Sequence, residues 1–102
     1  KQKIEEKKYT KWFDYDKIKN SPCVRTRRQG DYLTVNSEGG KKKLNRIFID
    51  EKIPAEMRDR LPVVAAGSEI LWIPGGRMNE QYKITSTTGR VLELHYQGGV
   101  LT

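Results

Sequence analysis

Two short segments of the 102-residue chain concentrate basic side chains that could bind phosphate groups. The first segment runs from Arg25 to Asp31 and the second from Gly39 to Arg46, with seven residues between them. A guanidinium group can donate to two phosphate oxygens at once, and a lysine ammonium group attracts phosphate as a compact charge. A further arginine follows the turn at residues 74–76, where two glycines let a ligand approach the backbone. The candidate contacts are Arg25, Arg27, Arg28, Lys41, Lys42, Lys43, Arg46 and Arg77.

The distribution of charge along the chain favours a nucleic acid as the partner. Residues 1–60 contain seventeen basic and ten acidic side chains, whereas residues 61–102 contain three of each, so the first part carries the whole net charge of +7. A basic surface of this kind attracts polyanions. We therefore predict that the cations converge on one exposed surface that contacts RNA or DNA.

Each basic segment also has a simpler interpretation, which the sequence leaves open. The arginines could form a solvated strand face neutralised by Asp31 or Glu51, and the lysine triplet could be a solvated loop. The stretch 39–43 also resembles a phosphate-cradling loop, because glycines permit close approach and a following helix would present free N–H groups. It lacks the Gly-x-x-x-x-Gly-Lys-[Ser/Thr] spacing of a nucleotide-binding loop, which excludes ATP binding there.

Residues suited to catalysis or metal binding are scarce. His95 has no evident nucleophile or carboxylate pairing, and Cys23 follows a proline in an apolar stretch, which favours a packing role. One cysteine and one histidine cannot form a structural zinc site or an internal disulfide, which fits a reducing cytoplasm. Asp14 and Asp16, expected on one strand face, are equally well explained by a turn or by pairing with Lys11, Lys17 or Arg25, and these explanations are favoured over binding of Mg²⁺. The sequence predicts no catalytic residue and no metal site.

The hydrophobic pattern predicts an α+β domain in which strands flank two short mid-chain helices. Leu44, Ile47 and Phe48 follow helical spacing, and a second helix is expected over residues 55–61, because proline is preferred at a helix start. Gly39–Gly40 and Gly98–Gly99 are expected in loops or turns. The predicted strands are 9–13, 22–28, 63–66, 70–73, 82–85 and 91–96.

The chain is expected to form one domain over residues 1–102, with residues 1–8 as a linker or an edge strand from a preceding domain. It opens without methionine in a run of charges, so we expect it to be part of a longer polypeptide. No apolar run approaches the roughly 20 residues of a membrane span. We therefore predict a cytoplasmic protein with no membrane partner.

The order of these motifs resembles the C-terminal domain of bacterial tRNA(Ile)-lysidine synthetase, TilS, from about residue 10 onward. Each motif is weak alone, and the resemblance depends on their order and spacing. One departure is Asn45, where the family pattern has an acid, and it is followed by Arg46 where an apolar residue is common. The motifs are Trp12-Phe-Asp-Tyr-Asp16, Arg25-Thr-Arg-Arg-Gln-Gly-Asp31, Gly40-Lys-Lys-Lys-Leu44, Phe48-Ile-Asp-Glu-Lys-Ile-Pro54, Arg58-Asp-Arg-Leu-Pro62, Trp72-Ile-Pro-Gly-Gly-Arg77 and Tyr82-Lys-Ile-Thr85.

The resemblance implies a substrate-binding role within an enzyme that uses ATP and Mg²⁺ to attach lysine to the wobble cytidine of tRNA(Ile). The chemistry belongs to an N-terminal PP-loop domain with a Ser-Gly-Gly-x-Asp-Ser motif, which this sequence lacks. The chain alone is therefore expected to bind no cofactor and to catalyse nothing. The implied fold is β-sandwich-like with mixed sheets, similar to a domain of the phenylalanyl-tRNA synthetase beta subunit.

The implied partners are tRNA(Ile) and the PP-loop domain of the same polypeptide, with a homodimer left open. The eight basic candidates are assigned to RNA contact, and Asp31, Asp50 and Glu51 are their expected internal partners. The alternative is a non-catalytic docking or dimerisation domain whose basic face meets an acidic protein surface.

Overall fold

The computed structural model describes the backbone of residues 4–101 and the side chains of residues 9–97. The order of its elements is that of an α+β domain with few short helices, as predicted. In chain order they are β1 (Ile4–Asp14), a 3₁₀ turn (Tyr15–Lys17), β2 (Cys23–Arg25), β3 (Tyr32–Thr34), β4 (Lys41–Lys43), α1 (Leu44–Asp50), α2 (Ala55–Arg58), β5 (Val63–Ala66), β6 (Glu69–Trp72), a second 3₁₀ turn (Glu80–Tyr82) and β7 (Val91–Leu101).

The strands form two sheets. The long strands β1 and β7 pair antiparallel from Ile4 opposite Leu101 to Asp14 opposite Val91 and make a two-stranded ribbon. The other five strands form a mixed sheet in the order β2-β5-β6-β3-β4. Neighbours in this sheet run antiparallel except for β3 and β6, which are parallel. Strand β4 therefore lies at one edge and β2 at the other.

One face of the five-stranded sheet is covered by α1. Leu44, Ile47 and Phe48 lie on the inner side of this helix and are each 1% exposed. Their i, i+3, i+4 spacing places them in one apolar stripe, which is why this segment folds as a helix against the sheet. The residues that pack with them are Leu33, Val63, Ala65, Ile70 and Ile73, with Val35, Ile53 and Leu61 at the margin.

The opposite face of the sheet is covered by the ribbon. Phe13 of β1 packs against Trp72 of β6 with ring centroids 6.1 Å apart. The cluster is completed by Val64, Ala66, Leu71 and Tyr82, with Tyr9, Ile18, Met78, Leu92, Leu94 and Tyr96 packed against it. The domain thus has three layers, namely helices, the mixed sheet and the ribbon, which confirms the predicted α+β fold with mixed sheets.

A β-bulge divides the apolar side chains of β6 between these two clusters. The pairing of β5 with β6 shifts register between Val64 and Ala65. In a regular strand Ile70 and Trp72 would share a face, because strand side chains alternate. Here Ile70 packs on the helix side and Trp72 on the ribbon side. The bulge therefore lets one short strand supply large side chains to both layers.

The predicted strand over residues 82–85 is wrong. Asn79 caps a 3₁₀ turn here, since its side chain accepts a hydrogen bond from the backbone N–H of Gln81 at 2.9 Å. Further along, the Thr88 hydroxyl accepts from the backbone N–H of Thr85 at 2.8 Å. Side-chain groups thus bond the backbone groups that a strand ladder would need.

Three predicted boundaries are also wrong. Strand β2 ends at Arg25 and not at residue 28, because the chain then crosses to β3 on the other side of β5 and β6. The second helix ends at Arg58, before residue 61. Gly98 and Gly99 lie within β7, opposite Lys7 and Glu6, and do not form a turn. Of the proposed linker or edge strand 1–8, residues 4–8 belong to β1, and residues 1–3 lie outside the described part.

Tyr82 should make the fold less stable as the pH rises into the alkaline range. Its hydroxyl donates to Glu69 inside the ribbon-side cluster, and burial followed by this contact raises the pKa of Tyr82 well above its ordinary value of 10. The unfolded state loses this proton above pH 10 while the folded state keeps it. We expect the free energy of unfolding to fall by about 1.4 kcal/mol per pH unit above pH 10 from this residue. Urea denaturation at pH 9, 10 and 11 measures it, and Tyr82→Phe should show a shallower decline.

Candidate nucleic-acid interface

Arg25 and Asp31, the first and last residues of the first basic segment, form a buried ion pair. The guanidinium group donates to both carboxylate oxygens at 2.8 Å and to the backbone oxygen of Gly67 at 2.8 Å. The side chains of Arg25 and Asp31 are only 9% and 2% exposed. The hydrogen bond to Asp31 raises the pKa of Arg25 above its ordinary value. This geometry directs Arg25 to an internal partner and leaves little of its guanidinium group for an external phosphate.

Arg27 contacts residues of both helical segments, and Arg28 follows it in the same loop. Arg27 donates from Nε to Asp59 at 2.8 Å and from Nη1 to Asn45 of α1 at 2.9 Å. Asp59 is 76% exposed, so this pair orients Arg27 more than it stabilises the fold. Arg28 is exposed and forms no ion pair with any carboxylate in the described part of the chain. Arg27 can therefore meet a ligand that approaches α1, and Arg28 offers an exposed guanidinium group in the adjoining loop position.

Strand β4 divides the lysine triplet between the two faces of the sheet. Lys42 points to the helix side, where its ammonium group contacts Asp50 of α1. Because side chains alternate along a strand, Lys41 and Lys43 point to the opposite face, and the Lys41 ammonium lies 5.2 Å from the centroid of the Tyr32 ring. The expectation of a single surface for all the cations is therefore wrong for Lys41 and Lys43.

The loop before β4 does not cradle phosphate as its glycines suggested. The side chain of Asn36 accepts hydrogen bonds from the backbone N–H groups of Glu38 and Gly40 at 3.0 and 2.9 Å. The N–H of Gly39 bonds to the backbone oxygen of Asn36 at 3.3 Å. Gly40 is followed by strand β4 and not by a helix. The N–H groups of Glu38, Gly39 and Gly40 are thus bonded within the loop, and no helix N-terminus follows directly after Gly40.

Asp50, at the end of α1, holds several cations in place. It contacts Lys42, and its Oδ1 lies 3.2 Å from Nε of Arg46 one helical turn earlier. The hydrogen bond from Lys42, with the charges of Arg46 and Arg77, holds the pKa of Asp50 below its ordinary value. Asp50 thus contacts two cations of the second basic segment, and Arg77 lies near the end of α1, where it lines a groove with Glu51.

Arg77 also lines a shallow groove of about 400 Å³ that contains two further lysines, Lys11 and Lys83. Glu51 and Glu80 line the same groove, and Lys83 pairs with Glu80 at 2.8 Å. Neither lysine belongs to the two basic segments of the sequence. The available signal was the position of Lys11 on the strand face of Tyr9 and Phe13, where a charge interrupts an aromatic row.

The helix side thus presents one connected set of cations around α1, which we call the α1 basic surface. Hydrogen bonds and ion pairs link three of its members, Arg27, Lys42 and Arg46, to polar side chains nearby. The other two, Arg28 and Arg77, are exposed. Asp31 and Asp50 are internal partners as expected, whereas Glu51 only lines the neighbouring groove. The α1 basic surface consists of Arg27, Arg28, Lys42, Arg46 and Arg77.

The other candidate residues have structural surroundings. β1 ends at Asp14, which is buried and accepts from the hydroxyl of Thr88 at 3.1 Å, whereas Asp16 lies in the 3₁₀ turn and pairs with Arg90 at 2.7 Å. The expected shared strand face is therefore wrong. The predicted packing role of Cys23 is wrong, because this residue is exposed. Across the described residues, no three His, Cys, Asp or Glu side chains lie close enough together to hold a metal ion.

His95 lies in a polar row on the outer face of the ribbon. Its Nδ1 is 3.0 Å from the hydroxyl of Thr10, and its Nε2 is 3.2 Å from Glu93. Glu93 also accepts from the indole N–H of Trp12 at 2.9 Å. The prediction that His95 has no carboxylate partner is therefore wrong. The row crosses between the two paired strands and so contributes to holding the ribbon together.

Together the fold and the α1 basic surface define a small three-layer α+β domain with one basic face. A family model described as the TilS substrate C-terminal domain matches residues 23–94. This chain belongs to that family. No helix within residues 4–101 is long and apolar enough to cross a membrane.

Curated relatives and a solved structure agree with this assignment. The chain is 49% identical over 88 residues to a tRNA(Ile)-lysidine synthase of Caldanaerobacter subterraneus subsp. tengcongensis, covering 86% of this chain and 19% of that protein. It is 40% identical over 90 residues to the tRNA(Ile)-lysidine synthase of Clostridium tetani, covering 88% and 19%. A crystal structure of a TilS C-terminal domain aligns with a TM-score of 0.67 at 31% identity, covering 94% of this chain and 82% of that one. The chain thus spans about one fifth of the length of these curated relatives.

Proposed function

We propose that this chain is the tRNA-binding domain of a tRNA(Ile)-lysidine synthase and that it binds tRNA through the α1 basic surface. The observation that carries the proposal is an excess of positive charge on the α1 basic surface. Five cations surround α1, and the carboxylates that pair with them in the described structure are Asp50 and Asp59. That balance leaves a local charge of +3 beside a rigid helix, which suits a polyanionic ligand.

The surface fits recognition of RNA by shape and phosphate positions. Arginine and lysine side chains donate to phosphate oxygens, and double-stranded RNA is bound largely through its backbone and sugar hydroxyls. Ion pairs to Asp50 and Asp59 hold Arg46, Lys42 and Arg27 in place before RNA arrives. Less side-chain entropy is then lost on binding. The groove with Lys11 and Lys83 extends the surface beyond Arg77.

In this proposal the domain supplies binding and not chemistry. The ligase reaction, in which lysine is attached to the wobble cytidine of tRNA(Ile), belongs to a PP-loop domain of the same cytoplasmic polypeptide, which would hold ATP and Mg²⁺. The loop at residues 36–40 does not fit a nucleotide phosphate, because the N–H groups of Glu38, Gly39 and Gly40 are already bonded to Asn36. Arg25 is assigned to positioning, and Lys41 and Lys43 to a separate face.

Removing the charge of Asp50 should strengthen tRNA binding. Asp50→Asn removes a negative charge from the centre of the α1 basic surface, and this gain should outweigh the lost positioning of Lys42 and Arg46, because their ion pairs are partly exposed to solvent. We expect the affinity for a tRNA(Ile) transcript to rise about fivefold, equivalent to about 1 kcal/mol. The dependence of log affinity on log salt concentration should also steepen. Fluorescence anisotropy with labelled tRNA at several salt concentrations measures both quantities.

Asp16→Asn is the matched control because it removes one negative charge and frees Arg90 on the ribbon side. It should change the affinity by less than about twofold, since exposed ion pairs far from the site contribute little. Absence of salt-dependent tRNA binding, or equal gains for the two variants, would contradict the proposal. Unchanged tRNA binding with altered binding to an acidic protein would instead favour the docking alternative.

A further inference from the structure

Asp31 connects the first basic segment to the start of α1. Its side chain accepts both hydrogen bonds from Arg25, and its Oδ2 also accepts from the backbone N–H of Arg28 at 2.7 Å. Its backbone oxygen accepts from the N–H of Leu44, the first residue of α1, at 2.9 Å. One buried residue thus contacts the buried Arg25, the loop that carries Arg27 and Arg28, and the first residue of α1.

The loop between β2 and β3 depends on these contacts for its position. Residues 26–31 belong to no strand or helix, and Gly30 has a φ of 91°, which closes the turn. Within this turn the N–H of Asp31 bonds to the backbone oxygen of Arg28 at 3.2 Å. Arg25 is in turn anchored to the mixed sheet through the backbone oxygen of Gly67. The chain of contacts therefore runs from the sheet to the backbone of the loop that carries Arg27 and Arg28.

We propose that Arg25 and Asp31 are positioning residues for RNA binding, holding Arg27 and Arg28 in register with α1 while touching no RNA themselves. This inference rests on the proposed function. The fork of Arg25 matches the two oxygens of Asp31, and a residue that offers one point of contact would leave the loop free to rotate. The candidate contact Arg25 thereby acts through its neighbours.

Asp31→Asn separates this role from a simple effect of charge. The substitution changes the net charge from +7 to +8, so electrostatic attraction alone predicts tighter tRNA binding. Misplaced Arg27 and Arg28 instead predict an affinity about tenfold weaker and a shallower salt dependence, because two phosphate contacts lose their alignment. Anisotropy titrations should be run at a temperature well below the midpoint of thermal unfolding of the variant. Circular dichroism should show that the variant is folded under these conditions.

The control is again Asp16→Asn, because Asp16 also accepts from an arginine side chain and a backbone N–H, those of Arg90, at 2.7 and 3.3 Å. Its tRNA affinity should stay within about twofold of the parent. A folded Asp31→Asn protein that binds as tightly as the parent or tighter would overturn the inference. If lowered thermal stability is the only change, the pair is merely structural and the inference also fails.

Arg25→Lys keeps the charge and decides the matter if Asp31→Asn does not fold. A lysine makes one contact where arginine makes two, so we expect tRNA affinity at least about threefold weaker in a folded protein. Unchanged affinity would overturn the inference. Failure of the proposed function itself would look different, because Asp50→Asn and substitutions of exposed cations would then also leave tRNA binding unaltered.

Discussion

Replacing Phe48 with alanine is expected to lower the free energy of unfolding by about 3–5 kcal/mol. Phe48 is 1% exposed and lies in the helix-side cluster that joins α1 to the five-stranded sheet. The loss combines the transfer free energy of the ring with the cavity it leaves. Because small domains are stable by only about 5–15 kcal/mol, this is a large fraction of the total. Urea denaturation followed by fluorescence of the buried Trp72 measures it.

Ile49 is the matched control because it adjoins Phe48 in the same helix but is 49% exposed. Ile49→Ala should change the free energy of unfolding by no more than about 0.5 kcal/mol. Since α1 carries Arg46 and Asp50, only the folded protein should bind tRNA. The apparent tRNA affinity of Phe48→Ala should therefore fall in proportion to the fraction of the variant that is folded. Equal destabilisation by the two substitutions would contradict the orientation of α1 described above.

Removing Arg28 and Arg77 together should weaken tRNA binding about a hundredfold, the largest functional effect we expect from two substitutions. Neither arginine is held by a carboxylate within the described residues, so Arg28→Ala and Arg77→Ala should leave the fold intact. A hydrogen bond to a charged group contributes about 1.5 kcal/mol or more, and two such losses give this factor. The salt dependence should fall by about 1.4–1.8 in slope.

The control for this double variant is Lys17→Ala with Lys19→Ala. It removes the same number of charges near the first 3₁₀ turn, where Lys17 is only 3.9 Å from Asp14 and Lys19 is exposed. Its affinity should fall by less than about threefold through the general loss of charge. Similar losses for the two double variants would mean that net charge, and not the α1 basic surface, governs binding.

Local patterns were sufficient to predict the helices and most of the strands. The stripe of Leu44, Ile47 and Phe48 predicts α1 because its spacing matches a helical turn, and Pro54 predicts the start of α2. Local patterns failed at residues 82–85, where the side chains of Asn79 and Thr88 bond to the backbone. The likeness to a phenylalanyl-tRNA synthetase domain remains a prediction.

The identity of the cations was readable from the sequence, but their grouping was not. A count of charges cannot show that Arg25 is buried against Asp31 or that the pleat of β4 sends Lys42 away from Lys41 and Lys43. Nor can it bring Lys11 and Lys83 to the groove beside Arg77. Those positions depend on strand pairing and layer packing between residues far apart in the chain.

By itself, then, the sequence determined the fold class, the two helices, the basic character of residues 1–60 and the resemblance to the TilS C-terminal domain. Composition and short-range periodicity are properties of residues that are close in the chain, so they can be recognised from the sequence without a structure. The tertiary structure decided which cations are exposed, which are paired and which share a face. That division depends on long-range contacts, because burial and ion pairing arise only when separate segments pack together.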